Sequence, residues 1–111
     1  MTEEINLGKQ NLSDAKYIVS FISLKSENTK GYAQAADQMM QAVQSQQGFV
    51  AAYSAREEDG VGITNSYWSS LDAISEWKKD QAHQAIQNQG KKHWYQWYQV
   101  QVSEIVRHYE S

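Results

Sequence analysis

The segment "KYIVSFISLK", residues 16–25, decides the fold that the sequence predicts. It is rich in β-branched and aromatic residues and is apolar at nearly every position, which is typical of a strand covered on both faces. Val19 and Phe21 point to one side of such a strand, and Ile22 points to the other. We therefore expect a central strand whose two faces are both buried.

The residues after this strand predict a helix and then a pair of strands. The polar break "SENTKG" precedes a helix from Tyr32 to Ser45, for which Asn28 or Thr29 is a candidate N-cap. "FVAAYSARE" and "GITNSYW" predict two strands joined by a turn at "EDG". A second, serine-capped helix follows, and the alternation in "YQWYQVQVSEIVRHY" predicts a fourth strand. The chain therefore runs strand–helix–strand–strand–helix–strand.

This order predicts an α+β protein with an antiparallel sheet, in the ferredoxin-like split βαβ arrangement (βαββαβ). Two helices cover only one face of such a sheet, so the second apolar face of residues 16–25 needs another cover. A second copy of the sheet would provide it and would close a barrel of about eight strands. We therefore expect residues 16–111 to form a homodimeric α+β barrel. Residues 1–15 form either a flexible N-terminal arm or an added strand.

The composition argues against several classes of partner. The formal net charge of −3 does not favour binding to a nucleic-acid backbone. The chain has no cysteine, and its three histidines lack the spacing of metal ligands, so we expect neither a disulfide nor a bound metal. No stretch approaches the ~20 apolar residues of a membrane span. Residues 1–15 also lack the apolar core of a signal peptide, and we expect a cytoplasmic protein.

The run from Tyr17 to Tyr109 resembles a known family. The features that carry the resemblance are "SYWSS" at the end of the third strand, Trp77 and His83 after it, and then "GKKHWYQWYQVQV". This series is similar to that of the antibiotic biosynthesis monooxygenases, which are dimeric α+β barrels. The resemblance implies a pocket between the sheet and the helices of each protomer, separate from the barrel interior.

Two functions follow from the resemblance, and the sequence leaves open whether the protein is an enzyme. The first is a cofactor-independent monooxygenase that acts on a planar aromatic or phenolic small molecule. The second is a non-catalytic dimeric barrel that binds a small hydrophobic ligand or acts in stress response. Haem degradation, the activity of another branch, is not favoured. That branch uses an asparagine in the first strand and a histidine late in the second helix, where this chain has "IVSFIS" and Gln87 and Gln89.

The resemblance implies a pocket position for Trp68, and the chain itself suggests further candidates, although Trp94 and its neighbours in "HWYQWY" could instead fill the dimer seam. Trp68 corresponds to the tryptophan that ends the third strand and faces the pocket in several active members. The expected catalytic residues are His83, Trp68 and Asn65, and Tyr53, Arg56 and Trp94 are expected to bind the ligand.

His83 is the first candidate for a catalytic base. If Asp80 caps a helix, His83 lies in the first turn, where the helix dipole disfavours the imidazolium and keeps the ring neutral. A neutral imidazole can accept a phenolic proton. Both His83 and Trp68 have a structural alternative, as a helix-margin histidine and as a core residue. We expect Trp68 and His83 to border one cavity and Trp77 to belong to the packing.

Overall fold

The computed structural model describes residues 3–7, 12–80, 84–85, 88 and 93–111. The strands within these residues form one antiparallel sheet in the order β1-β3-β4-β2-β5. Strands β2 to β5 and the two helices have the predicted ferredoxin-like α+β arrangement, with β2 inside the sheet. The elements are β1 (Glu3–Leu7), a 3-10 turn (Leu12–Asp14), β2 (Tyr17–Lys25), α1 (Tyr32–Gln44), β3 (Phe49–Arg56), β4 (Val61–Trp68), α2 (Leu71–Lys79) and β5 (Tyr95–Glu104).

Strand β1 adds a fifth strand to the predicted four. It pairs antiparallel with β3, with Glu3 opposite Arg56 and Leu7 opposite Ala52. Residues Glu3–Leu7 therefore form an added strand, which was one of the two alternatives for residues 1–15. This pairing supplies backbone hydrogen-bond partners to an edge of β3 that the other four strands leave uncovered.

The two helices begin in different ways. The predicted cap of α1 at Asn28 or Thr29 is wrong, because the N-cap is Gly31, with a φ of 82° and no side-chain cap. That φ lies in the left-handed region, which glycine adopts without strain. The Asn28 side chain instead accepts a hydrogen bond from the Lys30 N–H at 3.4 Å, within the preceding turn. Helix α2 has the predicted serine cap, and the Ser70 hydroxyl accepts from the backbone N–H of Ala73.

The pairing of the strands shows which side of the sheet the helices cover. Directly opposite residues in an antiparallel sheet point to the same side. Val19 lies opposite Ser66 and packs against residues of both helices, which identifies the helix-facing side. Ile22 lies opposite Ile63 on the other side, where Ile63 is 46% exposed. Strand β2 is therefore apolar on both faces, as the sequence predicts.

Strand β3 contains an irregularity that affects the site. Phe49 lies opposite Trp68, but the register with β4 shifts before Ala51. One extra residue in a strand reverses the facing of every residue after it. Ala52 and Arg56 therefore lie on the helix-facing side together with Phe49, although strict alternation from Phe49 would place them on the opposite side.

Candidate functional site

Two groups of buried residues occupy the two ends of the helix-facing side. The first, which we call the Trp68 cluster, is formed by apolar residues from α1, β4 and α2. Trp68 is 0% exposed, lies 6.5 Å from Trp77 between ring centroids, and meets Phe49 edge-on at 5.4 Å. Its indole N–H donates to the Ser66 hydroxyl at 2.8 Å. The buried members are Val43, Trp68, Ala73 and Trp77.

The second group, which we call the Arg56 cluster, lies where β2 and β3 run toward the start of α1 and of β5. Its members are Ser23, Tyr32, Arg56 and Tyr95. Arg56 is only 9% exposed, and Ser23 is fully buried. A charged side chain is rarely buried to this extent unless its hydrogen bonds are satisfied.

Neutral oxygens surround the Arg56 guanidinium. Nη1 donates to the carbonyl oxygens of Ser23 and Gly60, and Nη2 donates to the Ser23 hydroxyl at 2.7 Å and the Tyr32 hydroxyl at 3.4 Å. Gly62 lies opposite Arg56 in β4 and makes room for it. A Cβ at Gly62 would lie 2.6 Å from Nη2 and 2.8 Å from Nε, closer than real Cβ atoms come to such neighbours.

Aromatic rings enclose the guanidinium on its other sides. The Tyr32 and Tyr95 ring centroids lie 5.7 and 5.9 Å from the Arg56 Cζ, within the range of cation–π attraction. The two tyrosine rings meet edge-on at 6.0 Å. Phe21 extends this surface by contacting both Tyr95 and Tyr98 at 5.4 Å between centroids. The result is an aromatic surface with a buried positive charge at its centre.

The two phenols of the Arg56 cluster interact with each other. Burial raises the pKa of Tyr95 above its ordinary value, and the neighbouring Tyr32 raises it further, whereas the positive charge of Arg56 acts in the opposite direction. The protonated, neutral form of Tyr95 is therefore favoured in this cluster.

Polar side chains lie between the two clusters on the same side of the sheet. Ser54 and Thr64 are directly opposite each other, and their hydroxyls are 2.8 Å apart. Phe21 is opposite Thr64 on the next strand. A flat aromatic molecule placed here would contact rings at the Arg56 end and hydroxyl groups along the middle strands.

The structure separates the residues that the sequence expected in one site. Arg56 and Trp68 lie on the helix-facing side, at opposite ends. Asn65 and Tyr53 are paired with each other on the other side. Asn65 and Trp68 are three residues apart in one regular strand, so their side chains point in opposite directions. Asn65 and Trp68 therefore lie on opposite sides of the sheet, and their expected catalytic roles stay predictions.

Trp68 and Trp94 are both buried but in different surroundings. The sequence set Trp68 apart from Trp77, whereas the structure places both in the Trp68 cluster. Trp94 lies beside the Arg56 cluster, meeting Tyr32 edge-on at 5.7 Å and donating its indole N–H to the Lys30 carbonyl at 2.9 Å. His83 lies outside the described residues, so its pairing with Trp68 stays a prediction.

Sequence reasoning did not identify Tyr32, Tyr95 and Ser23 as site residues. Tyr32 has the spacing of an ordinary apolar residue of α1, and Tyr95 is one of four aromatic residues in "HWYQWY". Their relation to Arg56 is visible only when three strands and the start of α1 are brought together. The sequence signals for this end of the sheet were Arg56, a cation after the apolar residues of β3, and Trp94.

The described part of the chain has neither a cluster of metal-binding side chains nor a helix that could span a membrane. Within residues 12–80, 84–85, 88 and 93–111, no group of three or more histidine, aspartate or glutamate side chains is arranged to hold a metal ion. None of the helices in the described part of the chain has the length and apolar character that crossing a membrane requires.

Comparison with known proteins identifies the family. The sequence model of the family described as antibiotic biosynthesis monooxygenase matches residues 17–89. The chain belongs to this family. Protein YqjZ of Bacillus subtilis strain 168 is 45% identical over 91 residues, which cover 82% of this chain and 80% of that protein. Family membership supports a monooxygenase-like role in general terms.

Solved structures share the fold at low sequence identity. Rv0793 from Mycobacterium tuberculosis has a TM-score of 0.75 and 11% identity, over 86% of this chain and 100% of that one. An anthrone oxidase-like protein has a TM-score of 0.62 and 19% identity, over 93% of this chain. The match covers 48% of the anthrone oxidase-like chain, so this chain spans about half of it.

Proposed function

We propose that the protein is a monooxygenase without a bound cofactor, which oxidises a planar aromatic or phenolic molecule held between the sheet and the helices. The observation that carries this proposal is the Arg56 cluster. A buried cation with two phenols beside it, in an aromatic surrounding, is suited to an aromatic ring that carries negative charge on an oxygen. The membership of the chain in a monooxygenase family supplies the class of reaction.

The proposed reaction needs no external reductant. Loss of a proton from a phenol or from the enol of an anthrone gives an electron-rich anion that can donate electrons to molecular oxygen. In an anthrone, a ring CH₂ becomes a carbonyl, one oxygen atom of O₂ enters that carbonyl, and the other leaves as water. The four electrons that reduce O₂ come from the substrate. A dry, aromatic site would protect the reactive intermediate from water.

The choice of substrate class rests on two supports. One is the aromatic surface of Phe21, Tyr95 and Tyr98, which offers faces and edges to a flat ring. The other is the fold shared with an anthrone oxidase-like protein. His83, which the sequence suggests as the base, keeps that role in the proposal.

We also propose that the protein acts as a homodimer. Ile18, Ile22 and Ile63 lie on the side of the sheet that faces away from the helices. Exposed apolar surface of this kind is often covered by self-association in a chain of this length. A second sheet packed on this side would complete the barrel that the sequence predicts.

Two substitutions on opposite sides of the sheet test the dimer. Val19→Glu places a charge against the Trp68 cluster and is expected to unfold the protein, because an unpaired buried charge is very costly. Ile63→Glu is expected to preserve the fold and weaken the dimer at least tenfold, as measured by sedimentation equilibrium. A folded wild-type monomer at micromolar concentration would contradict the proposal.

Oxygen consumption with a hydroxylated anthracene or a naphthol tests the reaction. We expect O₂ uptake by the purified protein without added cofactor, and one ¹⁸O atom in the product formed under ¹⁸O₂. Arg56→Gln is expected to reduce turnover by at least tenfold, whereas the control Arg107→Gln, at an exposed position, retains it. Tight binding of these compounds with no O₂ uptake would favour the non-catalytic alternative.

A further inference from the structure

The Arg56 cluster contains two hydrogen-bond donors for a charged ligand oxygen, the Arg56 guanidinium and the Tyr32 hydroxyl. We infer that the Tyr32 hydroxyl donates a hydrogen bond to this oxygen, and that Arg56 is a positioning residue that acts through Tyr32 without touching the ligand. The inference rests on the proposed function only in taking the Arg56 cluster as the binding site. It assigns a residue that neither the sequence pattern nor the family match indicates.

Arg56 is poorly placed to bind an anion itself. A guanidinium has five N–H donors. Four of them are directed at protein oxygens, which are the carbonyls of Ser23 and Gly60 and the hydroxyls of Ser23 and Tyr32. The Gly62 backbone also passes close to the guanidinium, since a Cβ at Gly62 would lie 2.8 Å from Nε. A bidentate contact between this guanidinium and a ligand would require at least one of these bonds to break.

The Tyr32 oxygen, in contrast, has one hydrogen-bonding function left. It accepts from Arg56 Nη2 at 3.4 Å, and its own O–H proton remains to be donated. Within residues 12–80, 84–85, 88 and 93–111, no oxygen or nitrogen accepts that proton at hydrogen-bond distance, and the Tyr32 side chain is only partly buried. A ligand oxygen is the acceptor that would complete the arrangement.

The surrounding charges strengthen this donor. Arg56 donates a charge-assisted bond to the Tyr32 oxygen, and Lys25 Nζ lies 4.6 Å from the Tyr32 ring centroid. Hydrogen bonds in a chain polarise one another, particularly where water is excluded. Positive charge near the ring also favours an anionic acceptor over a neutral one. The chemistry selects an aromatic ligand with an ionised oxygen, such as a phenolate or an enolate.

The coloured phenol 4-nitrophenol is a direct probe of this preference. Its anion and its neutral form are distinguished by absorbance, so the dissociation constant of each can be measured on either side of the probe's own pKa. We expect wild-type protein to bind the anion more tightly than the neutral form. Tyr32→Phe is expected to lower anion affinity about 10-fold to 100-fold, the value of a charge-assisted hydrogen bond, and to leave neutral binding nearly unchanged. Tyr109→Phe, at an 81% exposed position, is the matched control.

A double-mutant cycle separates direct from indirect action of Arg56. If Arg56 acts through Tyr32, Arg56→Gln weakens anion binding in the wild type but has little further effect in Tyr32→Phe protein. Two independent effects that add would overturn the inference, because they would mean that Arg56 contacts the ligand. An unchanged anion affinity in Tyr32→Phe protein would also overturn it.

A milder variant keeps the test valid if Arg56→Gln does not fold. Ser23→Ala removes the hydroxyl that accepts from Nη2 and leaves the charge in place. We expect it to reduce anion affinity in the wild type and not in Tyr32→Phe protein, and a loss in both would contradict the inference. Failure of the proposed reaction is distinguishable from failure of this inference. If only the reaction fails, the protein still prefers the anion in a Tyr32-dependent way but takes up no O₂.

Discussion

The Trp68 cluster and the Arg56 cluster lie on the same side of the same sheet, and both contain large aromatic residues. The Trp68 cluster is filled by apolar side chains, and the indole N–H of Trp68 is paired with Ser66. The Arg56 cluster holds a guanidinium and two phenols whose hydrogen bonds link residues distant in the chain. Both clusters are buried, but the Arg56 cluster holds a charge and hydroxyl groups, which is the basis for proposing it as the binding site.

The two clusters therefore contribute to different properties. Closely packed apolar residues stabilise the fold, because removing their surface from water is favourable. A buried charge costs desolvation energy, and its partners offset this cost without a large gain in stability. We expect substitutions in the Trp68 cluster to act mainly on the free energy of unfolding, and those in the Arg56 cluster to act mainly on ligand binding.

The largest expected effect comes from emptying the Trp68 cluster. Trp68→Ala is expected to lower the free energy of unfolding by about 3–5 kcal/mol, because it leaves a cavity in the core. Urea denaturation followed by circular dichroism measures the change. Tyr109→Ala removes a large aromatic side chain at an exposed position and should change stability by less than about 0.5 kcal/mol. A loss below about 1 kcal/mol for Trp68→Ala would contradict the assignment of Trp68 to the core.

A smaller effect is expected from crowding Arg56. Gly62→Ala places a methyl group against the guanidinium and should cost about 1–3 kcal/mol, with loss of anion binding as Arg56 moves. The same substitution in Arg56→Ala protein should cost much less, because the group in conflict is gone. Equal costs in both backgrounds, measured by urea denaturation, would show that Gly62 has another role.

The smallest expected effect is a dependence on alkaline pH. The pKa of Tyr95 is raised in the folded protein, whereas in the unfolded chain it has its ordinary value of 10.0. As the pH rises, the unfolded chain therefore loses this proton first. Stability from this group is complete below about pH 10 and declines above it, by at most about 1.4 kcal/mol for each pH unit.

Tyr95→Phe removes this contribution to the pH dependence. The unfolding free energy of that variant should fall less steeply above about pH 10 than that of wild-type protein or of Tyr109→Phe. Chemical denaturation at a series of pH values gives the slopes. Identical slopes in Tyr95→Phe and wild-type protein would contradict the pKa direction assigned to Tyr95.

Periodicity in the sequence was sufficient to predict most of the fold. Strand and helix positions follow from apolar spacing, which each element shows locally, and the serine cap of α2 follows from residue type. The two apolar faces of β2 are likewise a property of consecutive residues. The family resemblance rested on the same local features. The predicted N-cap of α1 was wrong. A glycine with positive φ and a polar capping side chain can each begin a helix, and the short turn before α1 contains both.

The candidate site depended on the tertiary structure. Which side of a sheet a residue faces is reversed by a shift of one position, and the irregularity before Ala51 in β3 is such a shift. It places Arg56 on the helix-facing side and Tyr53 on the other. Arg56 then meets Tyr32, 24 residues away in the chain, and Tyr95 on another strand. The sequence by itself determined the strands and helices and their apolar faces, because each depends on near neighbours. Only the tertiary structure decided which polar groups meet, because that depends on register and on packing between distant segments.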